Sequence, residues 1–563
     1  MKISFLAALS SIFLVKVDCG ILDPRHAKRR EQISLDGLWK FSLIDYDGAK
    51  KSVQASDYID IMAVPSSYND ISASENVRDH VGVVQYQRSF VIPSTWGSKR
   101  IWLRFGSVCY SAGVYINGEL ALSHEIGHLP FVGEITSFVK AGDVNQIEVL
   151  VNNTLTNDTI PQGDVEILTK QNYNFDFFNY AGIDRPVLLY TTEDTYINDI
   201  TVQTAIKDTS GIISYDVVDI FDTDGNLLDR YELQFGVREL SWDSTSFKIN
   251  GKPVYLRGFG RHEDSDIRGK GLDLPLILRD YSLIKWIGAN SYRTSHYPYA
   301  EEIMDLADSL GIMIIDETPA VDTGADLLRN HKQSITELIS RDKNRPSVVM
   351  WSAANEPSTG DEASEDYYRE VIAHLKTLDT TRPVTIANNV GPSADHSGQF
   401  LDILSFNQYN SWYNNEGDFD VIFTKVLTEA EEWHYKYNKP VMITEYGADT
   451  LEGYHSLPSF IWSEEYQNEL MSRNFEVFDR LRAKGWFVGE MIWNFADFKT
   501  RQDFKRVGGN KKGIFTRQRQ PKQSAHLMRR RYWSLAAELD NATIPADADN
   551  YIIGSSSRTK KEL

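Results

Sequence analysis

Two glutamates carry the clearest chemical signal in this chain. Glu356 sits in Trp351-Ser-Ala-Ala-Asn-Glu-Pro357 and Glu445 in Ile443-Thr-Glu-Tyr-Gly-Ala448, each just after a short apolar run. Paired carboxylates suit the cleavage of a glycosidic bond. One must be protonated to supply the leaving oxygen, and the other must be ionised to attack the anomeric carbon. Like charges held close push their two pKa values apart, so one residue type yields both an acid and a nucleophile. The same glutamates could instead pair with lysine or arginine, and spacing alone leaves both readings open.

The elements that would position them begin near Pro253. Eight strand candidates alternate with helix-length segments: Val254–Phe259, Ser291–Thr294, Ile312–Asp316, Val348–Ser352, Val384–Ala387, Ile403–Phe406, Val441–Thr444 and Glu490–Asn494. Strands that are apolar throughout belong to a parallel sheet covered on both faces. Eight alternations over about 280 residues predict a (β/α)8 barrel, whose reactive groups lie at the C-terminal ends of its strands. Polar residues gather at those ends, among them Arg261-His262-Glu263-Asp264, His296, Asp316-Glu317, Asn407-Gln408-Tyr409 and Trp493-Asn494. Strands four and seven face one another across the mouth, which would bring Glu356 and Glu445 together.

Ahead of the barrel the pattern is β. Residues 33–195 hold alternating or β-branched stretches such as Arg88–Ile92, Arg100–Phe105, Gly113–Ile116 and Gln146–Val151, with Asn117-Gly118 as a turn. Many short strands predict a jelly-roll sandwich. Residues 196–248 are also β-like, yet a complete immunoglobulin-like sandwich takes about 100 residues and seven strands, so this middle domain reads as shortened. The expected division is 1–19 signal peptide, 22–195 jelly roll, 196–248 shortened β-domain, 249–540 barrel and 541–563 polar tail.

Charge and composition narrow the function classes. The net charge of −20, with 79 acidic against 59 basic residues, disfavours general binding to nucleic acid or anionic membranes. Lys2 followed by the apolar run Ile3–Val15 reads as a secretory signal, too short to span a bilayer. Cleavage near Cys19 would leave Cys109 as a lone, buried, small apolar residue. Asn152, Asn157 and Asn541 open Asn-x-Ser/Thr sequons, which are candidate glycosylation sites in a secreted chain. The closing Lys-Lys-Glu-Leu is close to an ER-retention signal without matching it. His262, His296 and Glu263 lack metal-ligand spacing, no phosphate loop follows a strand, and no metal or cofactor is called for.

The two glutamate runs, together with Gly258–Asp264, Arg293–Pro298 and Trp493–Phe498, resemble blocks of glycoside hydrolase family 2, in order and over nearly the whole chain from Asp36 to Ser534. Within the family the chain is similar to the animal lysosomal β-glucuronidase type. The resemblance implies that Glu356 is the acid/base and Glu445 the nucleophile. It implies sugar contacts from Asp176, His296 and Asn355, orientation of the nucleophile by Tyr409, and a sugar floor at Trp493. It further implies that Arg506, Asn510 and Lys512 clamp the C5 carboxylate of a glucuronide. Gly508 and Gly509 would let the loop bend to aim them. Twelve Lys/Arg against one acid, Asp503, between Lys499 and Arg531 fit that reading in an otherwise acidic protein.

The activity so implied is a retaining exo-β-D-glucuronidase acting on glycosaminoglycan fragments and conjugates. It would need no cofactor and would assemble as a homotetramer in the lysosome. Against it stands an inactive, sugar- or partner-binding relative, because about forty residues of a full middle sandwich are missing between Gly225-Asn226 and Tyr231-Glu232.

Overall fold

The computed structural model describes residues 22–47, 50–54, 60–167, 170–173, 175–207, 210–215, 219–321 and 327–550. The signal-peptide reading and the Lys-Lys-Glu-Leu terminus lie outside the described residues.

The N-terminal domain is a sandwich. A seven-stranded antiparallel sheet is built around Gly37–Asp47, Val83–Val91, Val144–Asn152 and Ser111–Ile116. A four-stranded sheet of Gln32–Ser34, Val187–Thr192, Arg100–Phe105 and Phe131–Glu134 faces it. Strand Val144–Asn152 alternates exposed and buried residues over most of its length, as a sheet with one solvated face must. Its inward side chains Ile147, Val149 and Val151 join Trp39, Tyr86, Leu103 and Phe105 in one core. Cys109 is fully buried, as expected.

The middle segment holds two separate hairpins, Val202–Lys207 with Ser210–Tyr215 and Asp219–Phe221 with Leu227–Arg230. The three short strands Leu240–Trp242, Phe247–Ile249 and Lys252–Pro253 pair among themselves. Their Phe247, Trp242 and Ile249 pack with Ile315, Met350, Met442 and Met491, so this piece joins the barrel core instead of the hairpins.

The barrel strands are Leu256–Phe259, Ser291–Arg293, Met313–Glu317, Val348–Asn355, Val384–Asn388, Leu404–Asn407, Val441–Glu445 and Phe487–Ile492. All pair in parallel in sequence order, and the first returns to the eighth. A bridge from Gly260 to Arg293 links the first and second strands. The helices wrap outside. Leu274–Ile287 starts on Asp273, whose side chain accepts from the Leu276 amide, and ends on a left-handed Gly288, the expected N-cap and C-cap chemistry. Glu464–Arg482 starts on Ser463, with acids in its first turn and arginines in its last, which suits the helix dipole. Asp420–Tyr437 and Gln523–Asp540 are two further helices of the barrel.

Among the sequons, Asn157 and Asn541 are exposed, and Asn541 caps the helix Gln523–Asp540 in a left-handed conformation. Asn152 is half-buried, and its Oδ1 accepts from the Thr154 amide at 3.0 Å. No described helix is long and apolar enough to cross a membrane.

Candidate active site

The strand ends surround a cavity of about 460 Å³. Glu356, Glu445, Asn355, His296, Tyr409, Trp493, Asp176 and Arg506 all line it. Eight of the ten residues expected at the site therefore meet at one place. Asn510 and Lys512 stand behind the wall.

Glu445 ends the seventh strand and is almost wholly buried. Arg293, fully buried on the second strand, donates to Oε1, and the Tyr409 hydroxyl donates to Oε2 at 2.6 Å. Both oxygens thus accept from donors, the arrangement a carboxylate requires. Burial pushes the Glu445 carboxyl up to about 8, opposed by Arg293 and Tyr409 and aided by the charge of Glu356. Once Glu356 takes a proton, that repulsion vanishes and Glu445 ionises more readily. Burial and the Glu445 charge hold Tyr409 well above its ordinary value, so its phenol keeps the proton it donates.

Glu356 follows the fourth strand and sits in the left-handed region at φ 46°, a costly conformation for a residue other than glycine. Its amide is pinned to Ala387 O at 2.7 Å. Asn407 Nδ2 donates to Oε1 at 2.7 Å and Asn389 Nδ2 reaches Oε2 at 3.4 Å. Amide nitrogens of Asn407 and Asn389 contact this carboxyl, where a guanidinium and a phenol contact the other. Asn355 lies beside it, its Oδ1 accepting from Arg293 at 3.2 Å.

Trp493 stacks against His296, with ring centroids 4.9 Å apart and planes 17° apart. Gly260 makes that packing possible, since a Cβ there would lie 2.4 Å from the Trp493 ring.

Asp176 comes from the sandwich domain. Its loop is tied to the barrel by Phe178 N to Lys499 O at 2.9 Å and Arg501 to Tyr173 O at 2.8 Å. Arg506 Nε reaches both Asp176 oxygens at 2.9 Å, and Asn510 Nδ2 donates to Oδ2 at 2.9 Å. Arg506 also donates to Tyr413 Oη at 2.7 Å. Lys512, fully buried, donates to the same hydroxyl at 2.8 Å and to Asp449 at 2.5 Å. Burial is the largest influence and works against the Lys512 charge, but Asp449 and Tyr413 together outweigh it and the pKa is raised. The turn that aims these groups uses Gly508 at φ 71° and Gly509 at φ 110°; a Cβ on Gly509 would meet Phe498 O at 2.3 Å.

Arg506 and Lys512 thus lie together, each paired with an acid, Asp176 and Asp449, and both donating to Tyr413. Tyr413, Asp449, Asn389, Asn407 and Gln408 were not read as site residues. Tyr413 follows Tyr409 by one helical turn's spacing, a signal available only once that loop was known to cover the mouth. No group of three or more His, Cys, Asp or Glu among the described residues is arranged to hold a metal.

Residues 242–537 match the TIM barrel domain of the family 2 glycosyl hydrolases, and residues 33–193 match the family's sugar binding domain. The beta-glucuronidase of Canis lupus familiaris is 40% identical over 610 residues, covering 92% of this chain and 93% of that one. The beta-glucuronidase of Homo sapiens is 40% identical over 609 residues with the same coverage. Both alignments are longer than this chain's 563 residues, so those relatives carry segments absent here. The solved structure of a beta-glucuronidase from an uncultured Clostridium sp. superposes with a TM-score of 0.84 at 41% identity, covering 91% of this chain and all of that one. Both family domains match in order, and the relatives are alike over nearly the whole chain: the chain belongs to glycoside hydrolase family 2, in its β-glucuronidase branch.

Proposed function

We propose that this chain is a retaining exo-β-D-glucuronidase. The observation that supports the reading is a single cavity lined by two glutamates with different hydrogen-bond partners and by Arg506, with Asn510 and Lys512 packed behind it. In the first step Glu356 gives its proton to the glycosidic oxygen while Glu445 Oε attacks the anomeric carbon. The C–O bond to the leaving group breaks, and a glycosyl ester to Glu445 forms. In the second step Glu356, now ionised, takes a proton from water. The water oxygen bonds to the anomeric carbon, and Glu445 leaves as carboxylate. Tyr409 and Arg293 hold Glu445 as it loses and regains charge. Arg506, with Asn510 and Lys512 behind it, supplies the charge that a C5 carboxylate needs and an uncharged hydroxymethyl does not.

Terminal glucuronides of glycosaminoglycan fragments and of conjugates are the substrates this reading assigns. The sequons and the apolar start suit a lysosomal glycoprotein, assembled as a homotetramer. The alternative of a binding-only relative gains no support from the site, whose acid, nucleophile and clamp candidates stand together.

The test compares p-nitrophenyl β-D-glucuronide with the β-D-glucoside and β-D-galactoside. The glucuronide should be turned over far faster, and proton NMR should show the β-anomer as first product. A folded protein that ignores the glucuronide would end the proposal, and an initial α-anomer would end the retaining part.

A further inference from the structure

Glu317 ends the third barrel strand and is fully buried, away from the cavity. Its oxygens accept from Arg293 Nη1 at 2.8 and 2.7 Å and from Ser352 Oγ at 2.7 Å, and Oε1 lies 2.9 Å from His296 Nδ1. Burial is the largest influence and opposes its charge, but Arg293, His296 and Ser352 together outweigh it and the pKa is lowered. Glu317 is therefore an ionised group that can only accept. The 2.9 Å contact with His296 is a hydrogen bond only if Nδ1 carries the hydrogen. Arg293 Nη1 also approaches Nδ1, at 3.3 Å, but a protonated Nδ1 has no lone pair to offer, and the shorter contact decides. Burial lowers the His296 pKa against the pull of Glu317, so the ring holds one proton. His296 lines the cavity, and its Nε2 stands 4.0 Å from Glu445 Oε1, beyond hydrogen-bond reach.

We propose that Glu317 is a positioning residue that fixes His296 as its Nδ1–H tautomer, so that Nε2 faces the cavity as a hydrogen-bond acceptor for a substrate hydroxyl. The opposite tautomer would point an N–H at the cavity beside Glu445, and the hydroxyl would then have to accept from Nε2 and turn its own proton to another partner. The site then rewards a sugar that can donate at this position. It penalises one whose hydroxyl is missing or replaced by fluorine, which cannot donate. The kinetic arm of the test rests on the glucuronidase reading; the spectroscopic arm does not.

The experiment labels the full chain with ¹⁵N-histidine and assigns the His296 ring by difference from His296→Gln. The ligand-free protein should show Nδ1 protonated and Nε2 bare near neutral pH. An Nε2–H or an imidazolium there overturns the proposal, whatever the substrate proves to be. In Glu317→Gln the carboxamide can donate to Nδ1, so the His296 proton should move to Nε2. kcat/KM for p-nitrophenyl β-D-glucuronide should then fall about ten- to a hundredfold, the cost of a mismatched buried polar contact. That loss should disappear for the one monodeoxy glucuronide lacking the hydroxyl that meets Nε2. An unchanged tautomer, with equal losses on every monodeoxy substrate, would reduce Glu317 to a structural role and overturn the proposal. If Glu317→Gln does not fold, the wild-type spectrum alone decides.

Discussion

Arg506 Nη2 lies 2.6 Å from Asp176 Oδ2, joining the barrel's last loop to a loop of the sandwich domain 330 residues earlier. The guanidinium that would greet a substrate carboxylate therefore already holds one. Asp176 is 41% exposed at its side chain and Arg506 11%, so water screens the pair and its loss should cost stability little. Asp176→Asn should leave the melting temperature within a few degrees of wild type. It should weaken glucuronide turnover through both KM and kcat, because Arg506 loses the partner that orients it. A variant with wild-type KM would show that Asp176 does not act at the site.

Glu445→Gln should lower turnover about a thousandfold or more while keeping the fold, as expected when a covalent nucleophile is removed. Glu356→Gln should lose turnover on poor leaving groups but keep much of the first step on p-nitrophenol or dinitrophenol, which leave without a proton. Burst kinetics with both substrates would read this. Substantial steady-state activity in Glu445→Gln would overturn the nucleophile assignment.

Arg293→Lys should move the acid limb of the kcat/KM profile to higher pH. The sign follows from charge: Arg293 favours the ionised form of Glu445, and one ammonium cannot serve Glu317, Asn355 and Glu445 as the guanidinium does. Glu445 then holds its proton more tightly, and activity on the acid side is lost earlier. A limb that stays in place, with the fold intact, would show that Arg293 does not tune the nucleophile.

Lys512→Met should hurt glucuronides far more than the matching glucosides, as the wall loses its buried cation. It should also lower stability by about 1–3 kcal/mol, because Asp449 is fully buried and, among the described residues, keeps only Arg506 at 3.4 Å and the Lys511 amide as partners. The double variant Lys512→Met with Asp449→Asn should recover stability without recovering glucuronide preference. Thermal unfolding and paired kcat/KM values on glucuronide and glucoside would separate the two effects. Equal losses on both sugars would remove the clamp argument.

The sequence by itself determined the barrel and its two glutamates. Apolar runs of four to eight residues, punctuated by helix-length segments, are local signals, and Glu356 and Glu445 each sit at the end of the strand that carries them. The sandwich was legible for the same reason, through alternation along strands such as Val144–Asn152. The paucity of strands between residues 196 and 248 was likewise countable, and among the described residues of 202–230 the structure holds two hairpins.

Tertiary structure alone decided how the charges pair. Asp176, an acid among phenylalanines in sequence, becomes the partner of Arg506 and Asn510 only because the sandwich loop docks on the barrel mouth. The sequence shows that Lys512 lies in a basic run, but not that its Nζ is buried between Asp449 and Tyr413. Glu317 and Arg293 look like ordinary strand-end polar residues until the closing barrel brings them to Glu445 and His296. Local propensity encodes backbone period and burial. It does not encode which donor meets which acceptor across elements hundreds of residues apart. That choice follows from packing the elements together, where each buried charge must find a partner.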